Sequence, residues 1–240
     1  MPDVMKELLA PVRAAVQRYD MIAENDRIAV GISGGKDSLA LLAALGALRR
    51  FYPVPFTLTA LTLDPCHNGR ETDYSAITEW CASMDIPHIV RRTRLWEIIF
   101  VERQEPNPCS LCARMRRGVL HREAKAAGCN VIALGHHRDD AAETFLMNLL
   151  EGGTLSCFSP KSYLSNRELW MIRPLIFLEE RQVASAARRL QLPVVKSTCP
   201  VDGKTRRQET KELLALLSRT YGPLDAKIVS AMQKQGLSGW

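Results

Sequence analysis

Residues 29 to 42 read AVGISGGKDSLALL. The short apolar run from Arg27 to Ile32 has the length and branching of a buried strand, and Leu39 to Leu48 is apolar over helical length. Between them stand Ser33, Gly34, Gly35, Lys36, Asp37 and Ser38. A ligand at this strand-to-helix turn meets a helix N-terminus, where unpaired amide N–H groups and the positive end of the dipole favour anions. The glycines let the backbone approach phosphate, and Lys36 adds a full charge. Two commoner nucleotide loops are excluded. A Walker loop needs Gly where Val30 stands and Ser or Thr in place of Asp37, and the dinucleotide fingerprint needs Gly in place of Ser33.

Outward from this loop, strand and helix signals alternate. Segments 27–32, 56–64, 87–90, 130–135 and 170–175 read as strands, and 39–51, 71–84, 109–128, 139–151, 179–191 and 205–219 as helices. This is the pattern of an α/β fold, a doubly wound parallel sheet with helices on both faces. The expected organisation is a nucleotide-binding domain over 25–200, flanked by loosely attached helical extensions at 1–24 and 201–240, the latter basic.

Composition narrows the class. The chain has 240 residues, 46% of them hydrophobic, enough for a packed core. The opening MPDVMKELLAPVRAAV interleaves Asp3, Lys6, Glu7 and Arg13 with apolar residues, which is not a signal-peptide pattern, and the apolar run at 39–48 is far shorter than a membrane helix. A soluble, cytoplasmic protein without a membrane partner is expected. There the 7 cysteines, an odd number, stay reduced, and clustered ones point to metal or redox chemistry. A formal charge of +6 is compatible with a polyanionic partner.

Cys109 and Cys112, in CSLC at the start of a helix, can direct both sulfurs to one metal centre. Among the other cysteines, Cys81, Cys129 and Cys157 read as small buried hydrophobes, and Cys199, in the loop KSTCPVDGK, is the better candidate for a further ligand. GHHRDDAAET at 135–144 follows a strand and therefore lies at the same sheet edge as the phosphate loop. Gly135, His136, His137, Asp139 and Asp140 are candidate nucleotide or Mg²⁺ contacts or proton carriers, and the aspartates also suit the N-terminus of the next helix. The end of the strand at 56–64 offers Leu63 as a resting place for an adenine.

The Ser-Gly-Gly-x-Asp-Ser loop resembles that of the N-type ATP pyrophosphatases, in which the loop holds ATP while a substrate attacks the α-phosphate and pyrophosphate departs. With CSLCARMRRGVLHREA, IALGHHRDDAAETFLMNLLEGG and IRPL added in that order, the chain is similar over roughly residues 20 to 220 to the tRNA 2-thiocytidine synthetase family. The resemblance implies a sheet of the adenine-nucleotide α-hydrolase type. It implies ATP held by Ser33 through Ser38, and Lys36, Asp37 and Asp139 as the groups of the adenylation chemistry. It further implies a [4Fe–4S] cluster held by Cys109, Cys112 and Cys199 through three irons, leaving one iron open to sulfide. Adenylation of a cytidine O2, then displacement of AMP by sulfur, would complete the reaction. Mg²⁺, tRNA (with the anticodon-loop cytidine 32 as target), a sulfur donor such as a cysteine desulfurase, and a homodimer complete the expected partners. Arginines follow both parts of the cluster motif, Arg114, Arg116 and Arg117 in one segment and Arg206 and Arg207 in the other, and would steer a tRNA backbone.

This chain departs from the family pattern around the third cysteine. It reads Cys199-Pro200-Val201-Asp202-Gly203 and then Arg206-Arg207-Gln208, where family members tend to read Cys-Gly-Ser and then Gln-Arg. The residues by themselves leave two other readings open: an adenylating ligase or amidotransferase with structural zinc, and an RNA-binding protein with a cluster or zinc and a vestigial nucleotide pocket.

Overall fold

The computed structural model describes residues 3–104, 108–199 and 206–240. Six strands form one sheet: β1 (Asp26–Ile32), β2 (Phe56–Asp64), β3 (His88–Arg92), β4 (Val131–Ala133), β5 (Lys161–Leu164) and β6 (Leu169–Ile172), in the order β3-β2-β1-β4-β6-β5. All neighbours are parallel except β5, which pairs antiparallel with β6. The helices are α1 (Asp3–Arg18), α2 (Lys36–Leu48), α3 (Ser75–Ala82), α4 (Pro108–Ala126), α5 (Arg138–Gly152), α6 (Glu180–Arg189), α7 (Arg206–Tyr221) and α8 (Leu224–Gln235). A π-helical turn spans Glu97–Glu102.

Strand alternation divides the core. Ile28, Val30, Leu58, Ala60, Val131 and Ala133 face one cluster with α1, α2 and α6, while Ala29, Leu61, Leu63 and Ile132 face a second with Leu120 and Ala124 of α4. Successive β1 and β2 run one way across the sheet and β4 lies on the other side of β1. The strand order therefore reverses at the carboxyl ends of β1 and β4, where a doubly wound sheet opens a ligand crevice. The phosphate loop follows β1 and Gly135 follows β4, so both border that crevice.

Two expectations need correction. The terminal helices are not loosely attached: Val12, Ala15 and Val16 of α1 are fully buried, and Trp240 is buried with its indole N–H donating to Phe158 O at 2.9 Å. Their amphipathic faces complete the sheet-face core, which a 25–200 segment alone would leave open. The strand expected at 170–175 ends at Ile172, because the chain turns at Arg173 to Leu178. The antiparallel β5 was not anticipated, since four residues with mixed burial carry no clear period.

Candidate functional site

β1 ends at Ile32 and the chain turns through Ser33, Gly34 and Gly35 into α2. Gly34 has φ +85°, a left-handed conformation that glycine adopts without a Cβ penalty. The loop's serines hold its shape: Ser38 Oγ donates to Gly35 O at 2.9 Å and accepts from Ser33 N–H at 3.2 Å, and Ser33 Oγ accepts from Gly35 N–H at 3.2 Å. Lys36 Nζ lies 3.0 Å from Asp37 Oδ2 and 3.2 Å from Glu180 Oε1. Burial opposes the charge on Lys36, but Asp37 and Glu180 outweigh it and raise its pKa.

Gly135 is required by close approach. A Cβ there would sit 3.0 Å from the carbonyl carbon and oxygen of Asp37 and 3.1 Å from Ser38 N, all backbone atoms that cannot rotate away. Gly135→Ala should push the start of α2 off its position and weaken ATP binding about tenfold or more. Calorimetric titration checks this, with unchanged far-UV circular dichroism as the control for folding.

The aspartates of the DD pair surround His137. Its Nε2 is 3.4 Å from Asp140 Oδ2 and 3.9 Å from Asp37 Oδ1, and its Nδ1, buried and without a well-formed hydrogen bond, is 3.5 Å from Asp139 Oδ2. Burial works against a charged imidazole, yet Asp139, Asp140 and Asp37 together raise the His137 pKa. Asp140 Oδ2 also accepts from His137 N–H at 2.9 Å and caps α5, while Asp139 Oδ2 accepts from Glu180 N–H at 2.8 Å and ties α5 to α6. Burial pushes the Asp139 carboxyl up, but His137 and the Glu180 amide hold it below its ordinary value. Asp140 thus serves the start of α5, and Asp139 joins that start to α6.

His136 points differently from His137. Its Nδ1 accepts from Arg173 Nε at 3.3 Å and its ring lies 5.0 Å from that of Phe158. Burial, then Arg173, pushes its pKa down to about 3, so it is a neutral wall of the site. With Ser33, Leu63, Arg116, Arg117, Arg173 and Arg207 it lines a cleft of about 720 Å³ over the switch point. Leu63 is expected there: β1 ends its pairing at Ile32 opposite Thr62, and β2 continues past it to Asp64.

The cysteine pair opens α4, so Cys109, Cys112 and Arg116 follow one another at helical spacing on one stripe. Burial pushes the Cys112 thiol up, Arg116 opposes it, and Cys199 and Cys109 push it further. Cys199 arrives by two ties. Val195 N–H donates to Gly34 O at 3.0 Å, laying the segment on the phosphate loop, and Thr198 Oγ lies 2.8 Å from His67 Nδ1. Among the described residues, no three His, Cys, Asp or Glu side chains converge on one point as a mononuclear metal site.

Of the arginines, Arg116 is half-buried and its charge reaches His67, Tyr74 and Cys112, whereas Arg114 and Arg117 are exposed. Arg207 turns inward to Glu143 at 3.2 Å, Asp140 at 3.4 Å and Thr144 at 3.1 Å; Arg206 pairs with Glu209 on its own helix at 3.0 Å. Sequence reasoning missed Glu180, Lys211 and His67. Their links span 31 to 144 residues, and nothing in their local context signals them.

The PP-loop domain model matches residues 5–212. The chain is 41% identical over 224 residues to a tRNA-cytidine(32) 2-sulfurtransferase of Geobacter metallireducens, covering 92% of this chain and 86% of that protein. It is 38% identical to the protein of the same name from Geobacter sulfurreducens, covering 95% and 89%. Among solved structures, the U34-tRNA thiolase NcsA from Methanococcus maripaludis with its [4Fe–4S] cluster superposes with a TM-score of 0.79 at 26% identity, covering 97% of this chain and 78% of that one.

Proposed function

Since the chain belongs to the tRNA 2-thiocytidine synthetase family of PP-loop proteins, we propose that it uses ATP to replace the O2 of a tRNA cytidine, that at position 32, with sulfur. The observation that carries the reading is the junction of its two halves. The backbone bond from Val195 to Gly34 seats the Cys199 segment on the phosphate loop, and Cys199 acts electrostatically on Cys112.

ATP phosphates would lie against Ser33 to Ser38 and the N-terminus of α2, with the adenine towards Leu63 and the apolar wall of Leu61, Leu120 and Leu134. The cytidine O2 attacks the α-phosphorus and the bond to the β-phosphate oxygen breaks. Lys36 neutralises charge gathering on the departing pyrophosphate. Mg²⁺ is normally held by one or two carboxylates plus phosphate oxygens, and Asp37, Asp139 and Asp140, which gather around His137, would supply them. Sulfur then bonds to C2 and the C2–O bond breaks, releasing AMP.

The three thiols fit a cluster better than a single ion. A structural zinc is normally closed by four protein ligands, whereas Cys109, Cys112 and Cys199 are three, the number that leaves one iron of a cluster without a protein thiolate. Cys109, Cys112 and Cys199 would hold a [4Fe–4S] cluster, which when bound supplies an iron free of protein ligand for presenting sulfur. The half-buried face formed by Phe100, Met115 and Cys112 limits water there. A cysteine desulfurase as sulfur source and a homodimer belong to the same reading.

The direct test is anaerobic incubation with ATP, Mg²⁺, sulfide and tRNA. AMP and 2-thiocytidine should form in equal amounts, and a tRNA carrying uridine at position 32 should yield neither. AMP release indifferent to tRNA would overturn the assignment. For the RNA contact, Arg116→Ala with Arg117→Ala should weaken tRNA binding and lower the slope of its salt dependence by about two. Filter binding at several salt concentrations measures that slope, and an unchanged value would place both side chains off the RNA.

A further inference from the structure

Lys36 is not the only ammonium at the phosphate loop. Glu180, the first residue of α6, accepts from Lys36 on Oε1 at 3.2 Å and from Lys211 of α7 on Oε2, so two lysines share one carboxylate. The position of Lys211 is set from both ends of its turn. One turn earlier Arg207 grips Asp140 and Glu143 of α5, and in the next turn Leu214 packs on Ala142 and Leu146. The N-termini of α2, α5 and α6 meet here, joined by the bond from Glu180 N–H to Asp139. The partly exposed Lys211–Glu180 pair is a weak structural contact, so stability alone is a poor reason for the arrangement.

We propose that Lys211 is a second phosphate-binding lysine, and that the Glu180 carboxylate occupies the place which the β- and γ-phosphates of ATP, and later pyrophosphate, take between Lys36 and Lys211. A pyrophosphate carries more charge and more acceptor oxygens than one carboxylate, so it competes successfully for two ammonium groups. Glu180 is partly exposed and can turn to solvent when displaced. Lys211 thereby links occupancy of the phosphate loop to the helix bearing Arg207. The inference rests on the reading that this site takes ATP.

The test uses the full chain with Mg²⁺ and measures the dissociation constants of pyrophosphate and AMP by calorimetry, without tRNA. Lys211→Ala should weaken pyrophosphate about tenfold or more and leave AMP within about twofold, and Lys211→Arg should restore most of the loss. Glu180→Gln should bind pyrophosphate severalfold more tightly than wild type, a gain that a purely structural Glu180 would not produce. Wild-type pyrophosphate affinity in Lys211→Ala, or equal losses for pyrophosphate and AMP, would overturn the inference. Failure of the wild-type protein to bind either nucleotide or pyrophosphate would instead count against the ATP reading itself.

Discussion

Cys199→Ala is expected to lose the brown iron–sulfur chromophore and all tRNA thiolation, while ATP affinity stays within about twofold of wild type. Cys199 is a lone cysteine in sequence, 87 positions from Cys112, and only the fold makes them partners. Its segment is held by backbone at Val195 and by Thr198 against His67, so removing the thiol leaves the segment anchored and the phosphate loop intact. Cys109→Ala and Cys112→Ala should behave alike. Cys81, Cys129 and Cys157 provide the contrast. Cys81 and Cys157 pack in one apolar cluster, Cys129 in a second and Cys112 in a third, so none of the three lies beside the cysteine pair. Alanine at these positions should keep both the chromophore and thiolation, at some cost in stability for the fully buried Cys81. Iron, sulfide and zinc analysis of anaerobic preparations reads the result. A Cys199→Ala protein with a full complement of iron and active thiolation would remove the three-thiolate site, and stoichiometric zinc without iron would replace the cluster with a structural ion.

Asp37→Ala should lower tRNA-dependent AMP formation by about a thousandfold or more, with the metal content of the thiol site unchanged. Asp37 stands in the first turn of α2, 3.0 Å from Lys36 Nζ and 3.9 Å from His137 Nε2, so it sets the lysine's position and contributes to the local field of carboxylates. Removing it leaves Lys36 tied to Glu180, and takes away one of the carboxylates proposed to hold Mg²⁺. Single-turnover AMP release from radiolabelled ATP measures the chemical step apart from product release. Undiminished AMP formation in this variant would detach the SGGKDS loop from the adenylation chemistry. The phosphate loop and the thiol site would thus fail separately in the two variants, as expected for two halves of one reaction joined through residues 195–199.

Much of this protein was legible in its sequence because its decisive features are local. Period and length mark β1, β2, α2, α4 and α5, since alternation and helical spacing are read within a single element. The SGGKDS turn declares a phosphate site through the backbone freedom of glycine and the free amides of a helix start. CSLC places two sulfurs on one helical face without help from the rest of the chain. What the tertiary structure alone decided are the relations between elements. It buried α1 and Trp240 in the core, where composition suggested loose extensions. It turned His136 onto Arg173 and His137 into the carboxylates, although the two are neighbours in sequence, because successive residues entering α5 point in different directions. It brought Glu180 to Lys36, Lys211 to Glu180 and Cys199 to Cys112. None of these contacts leaves a periodic or compositional trace. Each depends on how far the sheet and its crossovers carry one helix end towards another, and the free energy selecting that geometry comes from burying apolar faces rather than from the polar residues brought together.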